Sequence, residues 1–208
     1  MDDGTRESIL REARRRETPP GFPAGCALLV VDMQRFFLEE PSHAFLPEGV
    51  ALLPRLNAFI ADFAAAGRPV FFSRHGHAVG GDAAAMGRWW GPSLLMEDDP
   101  LGELHPELEV PDGARIIAKE TYDMFGGTEL EDELRRLDVK RVVVTGVMSH
   151  LCVETTARSA FLRGFDVTLP VDGCASSRPE LHESALRTLG DGFAALCTLD
   201  ELSEALRG

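Results

Sequence analysis

Three reactive side chains stand just past apolar runs that lie far apart in the chain. Asp32 follows Cys26-Ala-Leu-Leu-Val-Val31 and Lys119 follows Arg115-Ile-Ile-Ala118. Cys152 comes after Arg141-Val-Val-Val-Thr145 and the short stretch 146–151. A thiol, an ammonium and a carboxylate supply a nucleophile, a cation that favours its thiolate and a carrier for its proton. Cys152 falls where a helix is expected to begin, and the free N–H groups and dipole of a helix start favour an anion. Asp32 follows buried apolar residues, so it is expected to be partly desolvated and able to take the thiol proton and return it to a leaving group. Each residue alone has a plainer reading (a helix cap, a solvated lysine, a small core residue). Only a fold that brings the three together makes a site of them.

The elements that would do so are legible as alternating patterns. Continuous apolar runs at 26–31, 69–72, 115–118, 141–145, 166–171 and 194–197 read as strands covered on both faces. Pro170 is the one residue within them that cannot donate to a ladder. Between the strands, Leu52, Leu53, Leu56, Phe59, Ile60 and Phe63 follow helical spacing up to a C-cap at Gly67. Thr128-Glu-Leu-Glu131 reads as a capping box opening a helix to about Leu137. Helices are also expected over 152–163, 179–189 and 200–206. Strand–helix alternation implies an α/β fold, a parallel sheet with helices on both faces. In such sheets ligands bind beyond the carboxyl ends of the strands, which is where Asp32, Lys119 and Cys152 would converge. The long irregular segment 75–113, holding both tryptophans, is expected to form a lid or binding loop.

The 208 residues, 44% of them hydrophobic, are read as an N-terminal arm over 1–24 and a single domain over 25–208. The arm combines a charged helix over 5–17 with a break at Thr18-Pro19-Pro20-Gly21-Phe22-Pro23. A net charge of −13 argues against a nucleic-acid partner. No apolar run approaches the roughly 20 residues of a membrane span, so no membrane partner is expected. The charged start lacks a signal-peptide core, so a cytoplasmic, reducing location is expected. The four cysteines form no CxxC pair and no zinc or disulfide framework. Cys26, Cys174 and Cys197 are read as buried and inert.

Three stretches carry a resemblance: Leu28-Leu-Val-Val-Asp-Met-Gln-Arg-Phe-Phe37, Ala118-Lys-Glu-Thr-Tyr-Asp-Met-Phe125 and Thr145-Gly-Val-Met-Ser-His-Leu-Cys-Val-Glu-Thr-Thr-Ala-Arg158. In type, order and spacing they resemble the isochorismatase-like cysteine hydrolases, a superfamily that includes nicotinamidases, N-carbamoylsarcosine amidases and isochorismatases. The resemblance implies a three-layer, Rossmann-like fold with a six-stranded parallel sheet of order 3-2-1-4-5-6. It also implies an Asp32–Lys119–Cys152 triad, a non-proline cis peptide at Val147–Met148 and an oxyanion hole from the N–H groups of Met148 and Cys152. On the same pattern Gln34, Phe37, Trp90, Tyr122, Phe125 and His150 line a substrate pocket, and His150 orients the loop before the nucleophile. A homo-oligomer, dimer or tetramer, and a small-molecule substrate are implied as well.

Departures from the pattern bear on the substrate. Nicotinamidases share a metal-binding Asp-x-His with a further His downstream. The matching segment here is Ser73-Arg-His-Gly-His77, without the acid, so His75 and His77 are read as loop histidines at the pocket rim and no metal or cofactor is expected. Trp89-Trp90-Gly91-Pro92 and Gly146-Val-Met-Ser-His150 resemble isochorismatases. Those of the siderophore and phenazine pathways, however, carry glycine in place of Cys152 and a carboxylate-binding arginine in place of Thr121. The retained thiol favours covalent hydrolysis of a C–N bond in a small amide or carbamoyl compound. Vinyl-ether hydrolysis, and a non-catalytic binding protein on the same fold, are the alternatives.

Overall fold

A computed structural model describes residues 1, 3–13 and 25–207. The elements run α1 (Asp3–Ala13), β1 (Cys26–Val31), α2 (Arg35–Leu38), α3 (Pro47–Ala65), β2 (Val70–His75), α4 (Ala84–Trp90), β3 (Arg115–Lys119), α5 (Leu130–Arg136), β4 (Arg141–Val147), α6 (Glu154–Leu162), β5 (Asp166–Pro170), β6 (Cys174–Ala175), α7 (Pro179–Gly192), β7 (Ala195–Cys197) and α8 (Leu199–Arg207).

The sheet has the order β3-β2-β1-β4-β5-β7, with every pairing parallel. This is the expected order with one addition: the two-residue β6 pairs with the end of β4. Nothing periodic in Cys174-Ala175 signals a strand, so the sequence could not reveal it. Pro170 ends β5 opposite Cys197.

The uninterrupted apolar character of β1 has a simple cause. Its residues alternate between two cores. Ala27, Leu29 and Val31 pack with α5, α6 and α7, and Cys26, Leu28 and Val30 pack with α3 and α8. Each fully buried leucine or valine there stabilises the fold by about 1.5–3 kcal/mol. β1 therefore sits at the centre of three layers, and its carboxyl end is held by β2 on one side and β4 on the other.

α1 lies on the domain rather than apart from it. Ile9 and Leu10 are buried in the core that also contains Leu186, Leu189 and Leu196, and Arg187 pairs with Glu12. The remainder of the expected arm, including its proline-rich break, lies outside the described residues. The expected capping box is a tighter turn: Thr128 Oγ1 accepts the Leu130 N–H at 3.3 Å and donates to the Met124 carbonyl at 2.7 Å. No helix among the described residues is long and apolar enough to cross a membrane.

Candidate active site

β1, β3 and β4 deliver one reactive residue each to the same end of the sheet. Asp32 is the first residue past β1, with φ of 49°. That left-handed conformation is uncommon outside glycine, though aspartate tolerates it better than most. It turns the chain sharply out of the sheet. Lys119 is the last residue of β3, paired in register with His75 at the end of β2. Cys152 sits in a single π-helical turn, Ser149–Val153, that leads from β4 into α6.

The Asp32 and Lys119 side chains are both fully buried, with Lys119 Nζ donating to Asp32 Oδ2 at 2.8 Å. Lys119 Nζ also donates to the Thr121 carbonyl at 2.9 Å, and the Cys152 thiol lies near enough to both Asp32 and Lys119 to act on their charge states. Asp32 Oδ1 accepts from the Ser73 hydroxyl at 2.6 Å. Two donors of the ammonium and both oxygens of the carboxylate are thus engaged, and burial of a charge pair depends on such bonds.

The charge states follow from this packing. Burial alone would raise the Asp32 pKa. The Lys119 ammonium, then the His75 ring and hydrogen bonds from Cys152 and Lys119, hold it below the usual carboxylate range. Burial opposes the charge on Lys119, but Asp32 and Cys152 hold it above the usual lysine range. Burial and the Asp32 carboxylate both push the Cys152 thiol up, more than Lys119 lowers it. The resting site is therefore a carboxylate–ammonium pair beside a neutral thiol. This corrects the expectation that lysine and a helix start make a thiolate: Lys119 is already spent on Asp32. A neutral thiol against a buried carboxylate can still react as a nucleophile if the carboxylate takes its proton during attack.

The thiol opens on a cavity of about 280 Å³ lined by Phe36, Phe37, Trp90, Tyr122, Met148 and His150, among others. α4 forms part of its wall, and Trp90 Nε1 donates to the Tyr122 hydroxyl at 2.7 Å. Among the described residues no lysine, arginine or carboxylate lines it. The peptide between Val147 and Met148 is cis. Among the described residues no hydrogen bond takes the Met148 N–H.

Phe37, Trp90, Tyr122 and His150 thus stand on the cavity wall, but two residues expected there do not. Gln34 is fully buried behind it: its amide donates to the carbonyls of His75 at 2.9 Å and Gly102 at 2.7 Å and accepts the His75 N–H at 2.9 Å. It staples the ends of β1 and β2 to the irregular segment. Phe125 stacks on Phe165 in the core, ring centroids 5.9 Å apart. His75 is not a rim residue. It closes β2, is buried, faces the cavity, and is pushed by burial and by Lys119 to a pKa of about 4. Ser73 was not anticipated, although a lone hydroxyl inside Val70-Phe-Phe-Ser-Arg-His75 is a legible anomaly.

Ring nitrogens of His75 and His77 lack hydrogen-bond partners, but the Ser73 hydroxyl is committed to Asp32. Among the described residues no three His, Cys, Asp or Glu side chains group closely enough to hold an ion.

The chain matches the isochorismatase domain over residues 26–201. It is 36% identical to Nicotinamidase 3 of Arabidopsis thaliana across 97% of its own length and 98% of that protein's. Among solved structures it resembles a cysteine hydrolase from Pseudomonas syringae pv. phaseolicola with a TM-score of 0.85 and 25% identity, covering 91% of this chain and 95% of that one. It also resembles the pyrazinamidase of Pyrococcus horikoshii, determined in complex with zinc, with a TM-score of 0.74 and 31% identity over 84% and 99% of the two chains. A match over most of the chain, with the fold to go with it, makes this protein a member of the isochorismatase family of hydrolases.

Proposed function

We propose that the protein hydrolyses a C–N bond of a small, uncharged amide through a thioester on Cys152. The observation that carries this reading is the placement of the Cys152 thiol beside the buried Asp32–Lys119 pair and on the lining of a largely apolar cavity. Asp32 takes the thiol proton as sulfur attacks the carbonyl carbon. The developing oxyanion is received by the N–H groups of Met148 and Cys152. Collapse expels the amine, which leaves with the proton held by Asp32. A water, deprotonated by Asp32, then attacks the thioester. The C–S bond breaks, the acid departs and the thiol regains its proton. Lys119 stays charged throughout and balances Asp32 whenever it is ionised.

The lining supports an uncharged substrate. An aromatic wall with no lysine or arginine among the described residues offers a carboxylate no such cation to pair with, which weighs against the dicarboxylate of an isochorismatase-type reaction. The nicotinamidase and pyrazinamidase among its relatives are named for amide substrates.

The test is ammonia release from a panel of neutral aromatic and alicyclic carboxamides, with acid quench and intact mass of the protein. Turnover with an acyl adduct on Cys152, and a loss on the order of 10³-fold or more in Cys152→Ala, is the expected result. Turnover that survives Cys152→Ala, or activity on isochorismate alone, would overturn it.

A further inference from the structure

The residue that offers the Met148 N–H is followed by two residues whose side chains are both tied down, each to a different part of the fold. Ser149 Oγ lies 2.7 Å from His182 Nδ1 on α7. His150 Nδ1 is hydrogen-bonded to Ser176 Oγ, just past β6. Two consecutive residues thus form two imidazole–hydroxyl pairs of opposite sense: the turn supplies the hydroxyl in one and the imidazole in the other.

Met148 lies between the end of β4 and the π-helical turn Ser149–Val153. Val147 before it is fixed by pairing with Ala175 of β6. The Met148 carbonyl accepts the N–H groups of Leu151 at 3.0 Å and Val153 at 3.2 Å. What remains to be fixed is the chain on its far side, where the side chain of Ser149, only 1% exposed, reaches His182, 8% exposed. Burial pushes the His182 pKa down to about 4. His182 is a neutral, buried partner near pH 7. It lines none of the substrate cavity and touches neither Cys152 nor Asp32 in any hydrogen bond.

We infer that His182 is a positioning residue for amide hydrolysis, holding Ser149 so that the Met148 N–H points at the developing oxyanion, with His150–Ser176 bracing the next residue. This rests on the reading of Cys152 as the nucleophile. It assigns to a residue some 30 positions downstream a task that only attack on a carbonyl requires.

That restriction makes the inference testable. Alkylation of Cys152 by iodoacetamide displaces iodide at a saturated carbon and forms no oxyanion, whereas amide turnover does. In His182→Leu, kcat for the amide should fall about 10- to 100-fold, with KM within about twofold and the alkylation rate of Cys152 within about twofold of wild type. His182→Asn, which keeps a hydrogen-bonding atom on Cγ where Nδ1 was, should recover most of the loss. Ser149→Ala approaches from the other element, so a poorly folding His182→Leu does not end the test. It should show the same kcat loss, and the double variant should lose little more than either single one. An unchanged kcat in both single variants overturns the inference. So does a parallel fall in kcat and alkylation, which would mean general damage to the thiol site. Failure of the underlying nucleophile reading looks different: wild type itself would form no acyl adduct on Cys152.

Discussion

Ser73 and Asp32 are bonded to each other twice. The Asp32 N–H donates to Ser73 Oγ at 3.0 Å, and the same hydroxyl donates to Asp32 Oδ1 at 2.6 Å. One buried hydroxyl on β2 thus fixes both the backbone and the side chain of the residue that leaves β1 in a left-handed conformation. It also leaves Oδ2 as the oxygen that meets Lys119.

Ser73→Ala removes both bonds without filling new space. A buried N–H and one carboxylate oxygen lose their partner, at a cost of about 1–3 kcal/mol, read from urea unfolding. The carboxylate also loses a hydrogen bond to its charged form, so the Asp32 pKa should rise. The acid limb of kcat against pH should move to higher pH. A limb that stays in place would show that Ser73 serves stability alone.

Asp32→Asn separates the two roles of the carboxylate. Its loss strands a buried ammonium, so the variant should be less stable by about 3–5 kcal/mol near neutrality. The pH range follows from the shifts. Asp32 lies below its ordinary value of about 3.9, so its contribution is complete above that pH and disappears as pH falls through its folded value. Lys119 lies above its ordinary value of about 10.4, so its contribution is complete below that pH and disappears as pH rises through its folded value. The stability gap between wild type and variant should be widest where Asp32 is ionised and the stranded Lys119 is still charged, and should close on the acid side as Asp32 takes up its proton. At the thiol the variant should act in the opposite sense. Without the carboxylate, Lys119 alone faces Cys152, so alkylation by iodoacetamide should begin at a lower pH than in wild type, while amide turnover is lost for want of a proton carrier.

Tyr122→Phe deletes the acceptor of the Trp90 indole N–H. Trp90 is 39% exposed and belongs to α4, a helix without buried residues, so this bond is a main restraint on that wall of the cavity. The chemistry at Cys152 is untouched. KM for the best neutral amide should rise several-fold, equivalent to about 1 kcal/mol, with kcat unchanged. A fall in kcat at constant KM would place Tyr122 nearer the reaction than its contacts suggest.

How much of this was legible depended on whether the information is local. Asp32, Lys119 and Cys152 could be grouped from sequence because a parallel sheet sends all strand ends the same way, and the strands were marked by apolar runs. Gln34 was misplaced because its partners, His75 and Gly102, come from distant segments. A glutamine two residues past a strand looks the same whether it faces a ligand or a backbone. Phe125 was drawn to the pocket by its place in a motif, whereas Phe165, outside any motif, decides where it packs. The charge on Cys152 was misjudged for a different reason. A nearby cation can be inferred from topology, but whether it is free or already paired, and how dry the thiol is, are properties of the packed site.

Gly146 carries the closest packing constraint on the site. It pairs with Val31 in the β1–β4 ladder and has φ of 105°, a conformation that residues with a Cβ rarely adopt. A Cβ built there would stand 2.1 Å from the Val31 carbonyl oxygen and 2.7 Å from its nitrogen. These are backbone atoms at the centre of the sheet, so nothing flexible can yield. Gly146→Ala must push β4 away from β1, and the residues next along those strands lead directly to Asp32 and to the turn that holds Cys152. Stability should fall by more than about 3 kcal/mol. Activity should fall further than the folded fraction alone explains, because the acid and the thiol no longer meet. The measurement is specific activity per folded molecule, scaled by near-UV circular dichroism. A folded, fully active Gly146→Ala protein would mean that the β1–β4 spacing does not set the Asp32–Cys152 contact.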